Sequence, residues 1–207
     1  MRSIKNLSKR IIAVITVIVS TLILSQVFAS VFVYYPITVS VSPVSPPVVF
    51  LAGSNANKPD LGGSNTITVN IGPNQTSLEI TIHPTYQVTY YKNISLVKNV
   101  DTKTYYALLK VVSPATSIPA GSKLLIYVYS SGASRSLSGF PTPTPAAGSY
   151  LTSVDLTTTG MSGWITLSSG SSVELDLYVY IPEGSLLPSS FTVNILLIYS
   201  PVQETPP

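Results

Sequence analysis

The sequence predicts an all-β protein built from short antiparallel strands, on three observations. Apolar side chains recur with a period of two along most of the chain beyond residue 30. Clusters of Gly, Pro and Asn separate these runs at short intervals. No stretch beyond residue 30 sustains the 3.6-residue apolar period of an amphipathic helix.

The elements follow in chain order. Val31, Val33, Tyr35, Ile37, Val39 and Val41 occupy every odd position of the first alternating run. A short run at 48–51 comes next, then Ile67, Val69 and Ile71. Leu78, Ile80 and Ile82 point one way, with Glu79, Thr81 and His83 in the opposite phase. Tyr86, Val88 and Tyr90 follow Pro84, and residues 94–97 make a shorter run. Tyr105, Ala107, Leu109 and Val111 alternate, as do Leu124, Ile126 and Val128. Residues 150–156 and 164–167 are brief candidates. Val173, Leu175, Leu177, Val179 and Ile181 give the clearest alternation, with Glu174, Asp176, Tyr178 and Tyr180 expected on a wet face. Phe191, Val193, Ile195, Leu197 and Tyr199 close the series, and Leu196 and Ile198 leave that run apolar on both faces. Roughly ten strands rich in Val, Ile, Thr and Tyr predict an immunoglobulin-like β-sandwich over residues 48–200. Residues 130–149, dominated by Ser, Pro and Thr, are expected to form a long exposed loop, and 201–207 a polar Pro-rich tail.

Charge placement removes one class of function. The formal charge is +3, but Arg2, Lys5, Lys9 and Arg10 lie within the first ten residues. Beyond Ala29, seven basic and eight acidic residues leave a net charge of about −1, and the cations are scattered from Lys58 to Arg135. A nucleic-acid partner calls for clustered Lys and Arg to displace counterions, so none is expected. Only 9% of residues are charged, and the polarity comes from Ser, Thr, Asn and 13 Tyr. Such a surface keeps its character when carboxylates protonate. There is no cysteine, and a domain of this size has core enough to do without disulfides.

Residues 1–29 have the form of a secretory signal peptide. A basic start precedes a fourteen-residue apolar stretch, 11–24, and Ser-Gln-Val-Phe-Ala follows it. Cleavage is expected between Ala29 and Ser30, with Val27 and Ala29 as the small residues a peptidase accepts. The membrane is then met only through this leader. Two rival readings are an uncleaved anchor, with 11–35 kept as one spanning helix, and a type-IV-pilin leader, which would want a small residue after the last basic position.

Candidate chemistry is sparse. One histidine, His83, and no cysteine leave almost no ligands for a zinc site, and no metal or cofactor is expected. No G-x-S-x-G elbow, phosphate-binding glycine loop or EF-hand pattern is present. Glu174 and Asp176 stand two apart on one strand face, a spacing of about 7 Å that suits either an acid/base pair or an ordinary wet-face pair. Asp60 beside Gly62 and Gly63 reads as a turn residue. The chain is not expected to be an enzyme. A hydrolase using Asp155, Glu174, Asp176 or His83 is the alternative of that class. Two N-x-[ST] sequons, at Asn74 and Asn93, are expected to carry N-linked glycans, Asn74 from a Gly-Pro turn.

The first alternating run carries the functional expectation. Residues 30–42 form a sticky strand that ends at a Pro-rich hinge, 43–47, in which Pro43, Pro46 and Pro47 fix φ and remove three donors. The strand either kinks and crosses within its own domain or leaves that domain to fill a groove in a neighbour. Six such side chains, buried at ~1.5–3 kcal/mol each, would contribute on the order of 9–18 kcal/mol before ordering costs. A head-to-tail contact of that kind does not close and builds a filament of identical copies.

An export leader, a short Val/Tyr/Ile strand, a Pro-rich hinge, a Cys-free Ser/Thr/Tyr-rich β domain and sequons together resemble the subunits of archaeal thread filaments. The resemblance lies in architecture and composition over the whole chain beyond the leader. It implies extracellular, glycosylated pilus subunits joined by donor-strand complementation, serving adhesion or biofilm formation. The donor residues it implies are Val31, Val33, Tyr35, Ile37, Val39 and Val41, with 173–181 and 191–199 as candidate walls of the acceptor groove. A membrane-anchored or S-layer-associated binding module is the alternative.

Overall fold

The computed structural model describes residues 2–27 and 32–206. The chain forms two compact units, Met1–Pro43 and Val44–Pro207. In the first, helix α1 spans Arg2–Val27. Its hydroxyls at Thr16, Ser20 and Thr21 donate to carbonyls one turn back, those of Ile12, Thr16 and Val17. Polar side chains are thereby satisfied inside an apolar run. Residues 32–35 are not helical, so a helix continuous over 11–35 is not present. Residues 32–46 belong to neither helix nor strand. The alternating run therefore has strand-forming side chains without a strand's hydrogen-bonded partner, and Pro36 lacks a donor in its middle.

All strand pairs of the second unit are antiparallel. In chain order its strands are β1 (Val48–Ala52), β2 (Thr68–Ile71), β3 (Leu78–Thr81), β4 (Gln87–Asn99), β5 (Tyr105–Ser113) and β6 (Lys123–Ser130). They continue with β7 (Leu137–Ser138), β8 (Thr144–Pro145), β9 (Thr152–Asp155), β10 (Gly160–Met161), β11 (Ile165–Leu167), β12 (Ser172–Ile181) and β13 (Asn194–Ser200). A five-stranded sheet has the order β1-β4-β12-β6-β9. A second sheet centres on β5, with β13 along one edge and β10 and β11 in succession along the other. β2 and β3 pair as a hairpin, and β7 with β8 as a shorter one.

One hydrophobic core draws on both large sheets. Val173, Leu175, Leu177, Val179 and Ile181 of β12 meet Ala107, Leu109 and Val111 of β5 there, the alternation their spacing predicts. The β2–β3 hairpin adds Val69, Ile71, Leu78 and Ile80 to the same core. A second cluster, built on Tyr127, Tyr129 and Tyr178, lies on the opposite phase of β6 and β12.

Two sequence runs, 86–90 and 94–97, prove to be one strand. The register of β4 against β12 slips between Leu175 and Leu177, and Asn93 sits opposite that slip with φ 44°. A bulge changes the phase of alternation without ending the strand. Close by, the carbonyl of Asn93 occupies the space a Cβ on Gly53 would need, and Asn93 Oδ1 is 2.6 Å from the same point. Residue 53 must be glycine for the β1 turn to pass the bulge.

Candidate functional site

Residues 32–47 present core-type side chains to solvent. Val33, Tyr35, Ile37, Val39 and Val41 are 67% to 85% exposed, and neither hydrophobic cluster contains any of them. Val31 and the expected cleavage pair Ala29 and Ser30 lie outside the described residues. Of the hinge prolines, Pro43 is exposed while Pro46 and Pro47 are half-buried. The Pro47 carbonyl accepts a hydrogen bond from Val100 N at 2.8 Å. The chain is thus fastened to the β body from Pro47 onward, just ahead of β1.

The two expected groove walls differ. β12 pairs β4 on one side and β6 on the other, so residues 173–181 cannot flank an open slot. That expectation fails because a fully apolar core phase marks a central strand as readily as a groove wall. Among the described residues β13 pairs only with β5, which leaves residues 194–200 at a sheet edge. Leu196, on the face away from the core, is 50% exposed.

The second face of β12 is not wet. Glu174, Asp176 and Tyr178 are buried, Asp176 completely. Their cover comes from residues 130–149, expected to be an exposed loop. That segment instead folds into the β7–β8 pair and brings Arg135 down onto the sheet. Arg135 Nε lies 2.8 Å from Asp176 Oδ2, and one terminal nitrogen lies 2.9 Å from Asp176 Oδ1 and 2.6 Å from Glu174 Oε2. Its guanidinium carbon sits 4.2 Å from the centre of the Tyr129 ring. Tyr90 donates its hydroxyl to Asp176 Oδ2 at 2.7 Å, and Asn93 N at the bulge donates to Asp176 Oδ1 at 2.7 Å. Gly132 N donates to Glu174 Oε1 at 2.8 Å.

A planar cation with a fork of donors satisfies two carboxylates at once, which a lysine could not do. Hydrogen bonding to Asp176 raises the Arg135 pKa further from titration. Burial foremost, then the hydroxyl bonds to Tyr129 and Asp176, pushes Tyr90 above the ordinary tyrosine range. Each carboxylate oxygen of Glu174 and Asp176 accepts a hydrogen bond from Arg135 or Gly132 of the 130–149 segment, so the arrangement ties that segment to β12.

The remaining polar candidates are dispersed. His83 Nδ1 lies 3.0 Å from Asp60 Oδ2, and the backbone N–H groups of Leu61 and His83 donate to the same carboxylate at 2.7 Å each. Asp60 is therefore a buried anchor between its turn and the end of β3, not only a turn residue. Asp155 Oδ1 accepts from Thr157 N and Oγ1. Among the described residues no group of three or more His, Asp or Glu could hold a metal ion. A cavity of about 10 Å³, lined by Leu124, Ile181, Pro188 and Phe191, has room for at most one water molecule.

The sequons separate. Asn74 is exposed in the turn between β2 and β3. Asn93 is half-buried within β4, and its Oδ1 is buried without a hydrogen-bond partner among the described residues.

The antiparallel β body, with one helix ahead of it, defines an all-β protein whose exposed apolar segment is its most distinctive surface. No protein-family model matches the chain, and no curated protein is significantly similar to it. Sequence reasoning missed Arg135. The available signal was a lone cation in a Ser/Pro-rich stretch together with two carboxylates on one strand phase among tyrosines.

Proposed function

We propose that this protein is a structural subunit of an extracellular surface filament, and that its copies join head to tail by donor-strand complementation. Residues 1–29 act as an export leader, residues 30–42 as the donor, and residues 43–47 as the hinge. The β body, read as an immunoglobulin-like sandwich, accepts the donor of the next copy. The partner is the chain itself. No cofactor takes part, N-linked glycans decorate the surface, and the filament supports adhesion or biofilm formation. The resemblance to archaeal thread subunits supports the same reading.

The observation that carries it is the exposure of Val33, Tyr35, Ile37, Val39 and Val41, 67% to 85%, in a segment belonging to no strand. Left in water, these side chains forgo ~1.5–3 kcal/mol each that burial in a partner's groove would provide. A pleated partner would also supply the backbone hydrogen bonds the segment lacks.

Deletion of residues 30–42 tests the reading. The expected product is an exported, folded monomer with unchanged thermal unfolding, because no described residue of that segment belongs to the core. Negative-stain images of material sheared from producing cells should show filaments for the full chain and none for the deletion. Filaments of normal length from the deleted chain would sink the proposal.

A further inference from the structure

We propose that the open edge of β13 receives residues 32–42 of a second copy. This rests on the filament reading and names the acceptor within it.

Residues 194–200 hydrogen-bond through the backbone to β5, and among the described residues nothing pairs with their other edge. The core beneath that edge is incompletely covered. Ile195 and Leu197, with Phe191 and Val193 just ahead of them, pack on the core yet remain half-exposed. On the same sheet, Ala107, Leu109 and Val111 of β5 are fully buried. A further strand beside β13 would supply the missing cover.

The other edges are defended in ways that sheet edges normally are. Phe50 N of β1 already donates to Gln75 O at 2.8 Å. β9 ends in Asp155, the β2–β3 hairpin carries Glu79, and β10 and β11 are only two and three residues long. β13 is seven residues long, Asn-Ile-Leu-Leu-Ile-Tyr-Ser, with neither charge nor proline. An edge of that kind is a template for another strand. The segment ahead of the hinge matches it in chemistry, since residues 30–42 hold no charged side chain and alternate Ile and Val with Thr and Ser from Ile37 onward. Nine residues from Val33 to Val41 span about 30 Å when extended, against about 23 Å for the seven of β13.

The chain has no cysteine, so paired substitutions report contacts without background. Thr38 and Ser40 lie in the phase opposite the apolar residues, and Leu196 and Ile198 face away from the core. In this arrangement the two sets share the outer face. Full-length chains carrying Thr38→Cys or Ser40→Cys together with Leu196→Cys or Ile198→Cys are exported, sheared from cells and mildly oxidised. At least one pairing should give a reductant-sensitive ladder of covalent oligomers, while Thr38→Cys with Ser153→Cys on β9 gives none. Filaments that ladder only through Ser153, or through none of these positions, overturn the β13 placement and leave the filament reading standing. Monomers with an internal Thr38–Leu196 disulfide overturn both, because each segment then closes its own body. Absence of filaments from the unsubstituted chain removes the filament reading and this acceptor with it.

Discussion

Arg135 grips Asp176 with two nitrogens, at 2.8 and 2.9 Å, from a segment that the sequence presents as an exposed loop. The pair lies at the centre of the covered face of β12, and both side chains are almost fully removed from solvent. Removing the cation strands two buried carboxylates. Such a loss costs about 3–5 kcal/mol, whereas exposed pairs are worth little. Arg135→Met should therefore lower the melting temperature by roughly 10 °C for a domain of this size. Arg135→Lys should recover only part of that, since an ammonium cannot serve both carboxylates in the same fork. Thermal unfolding followed by circular dichroism reads both, and an unchanged Arg135→Met midpoint would refute the role of the cluster.

The tyrosines set an alkaline limit. Burial first, then the charges of neighbouring tyrosines, pushes Tyr127 up to about 12 from the ordinary 10.0. Burial likewise raises Tyr90 and Tyr91. Between these limits the unfolded chain loses protons that the folded one keeps, so stability falls as pH rises. Below pH about 10 this contribution is fully present, and it is lost as pH climbs through about 12. Tyrosinate absorbance during a pH titration should show one group of tyrosines ionising early and another only together with loss of β structure. A single smooth titration of all 13 tyrosines near their ordinary value would contradict the burial described.

Gly53 offers a test of the bulge. A methyl group there would collide with the backbone carbonyl of Asn93, and backbone cannot swing aside as a flexible side chain does. Gly53→Ala should cost at least about 2 kcal/mol. Gly160→Ala, where nothing lies within 4 Å of the added carbon, should change stability by less than about 0.5 kcal/mol. Chemical denaturation of the two variants side by side provides the comparison.

On the proposed function, glycan placement should follow exposure. In an exporting, glycosylating host, Asn74→Gln should remove one glycan's mass from the intact protein. Asn93→Gln should remove none and should lower the melting temperature, because Asn tolerates φ 44° better than Gln does. Mass spectrometry of the secreted chains decides this, and a glycan on Asn93 of the folded protein would show the β4 bulge to be more open than described.

The alternation of β12, β5 and β6 was legible because a spacing of two fixes which side chains share a face. What covers the second face was not, because Arg135 lies 39 residues from Glu174 in sequence and no local pattern reports so distant a pairing. Glu174 and Asp176 consequently read as solvated. β4 read as two pieces because its bulge inverts the phase at Asn93. β10 is two residues long and has no alternation to read. At the candidate site, the apolar phase of residues 31–41 was plain in the sequence, while the choice between β12 and β13 as an open edge depended on strand order, which periodicity does not encode.

Holding the 130–149 segment by a guanidinium between two carboxylates, with an aromatic ring beneath it, has a consequence for where the protein keeps its shape. A disulfide doing the same work would open in a reducing compartment and close in an oxidising one. The Arg135 clasp contains no sulfur, so changes in redox potential leave it shut in either kind of compartment.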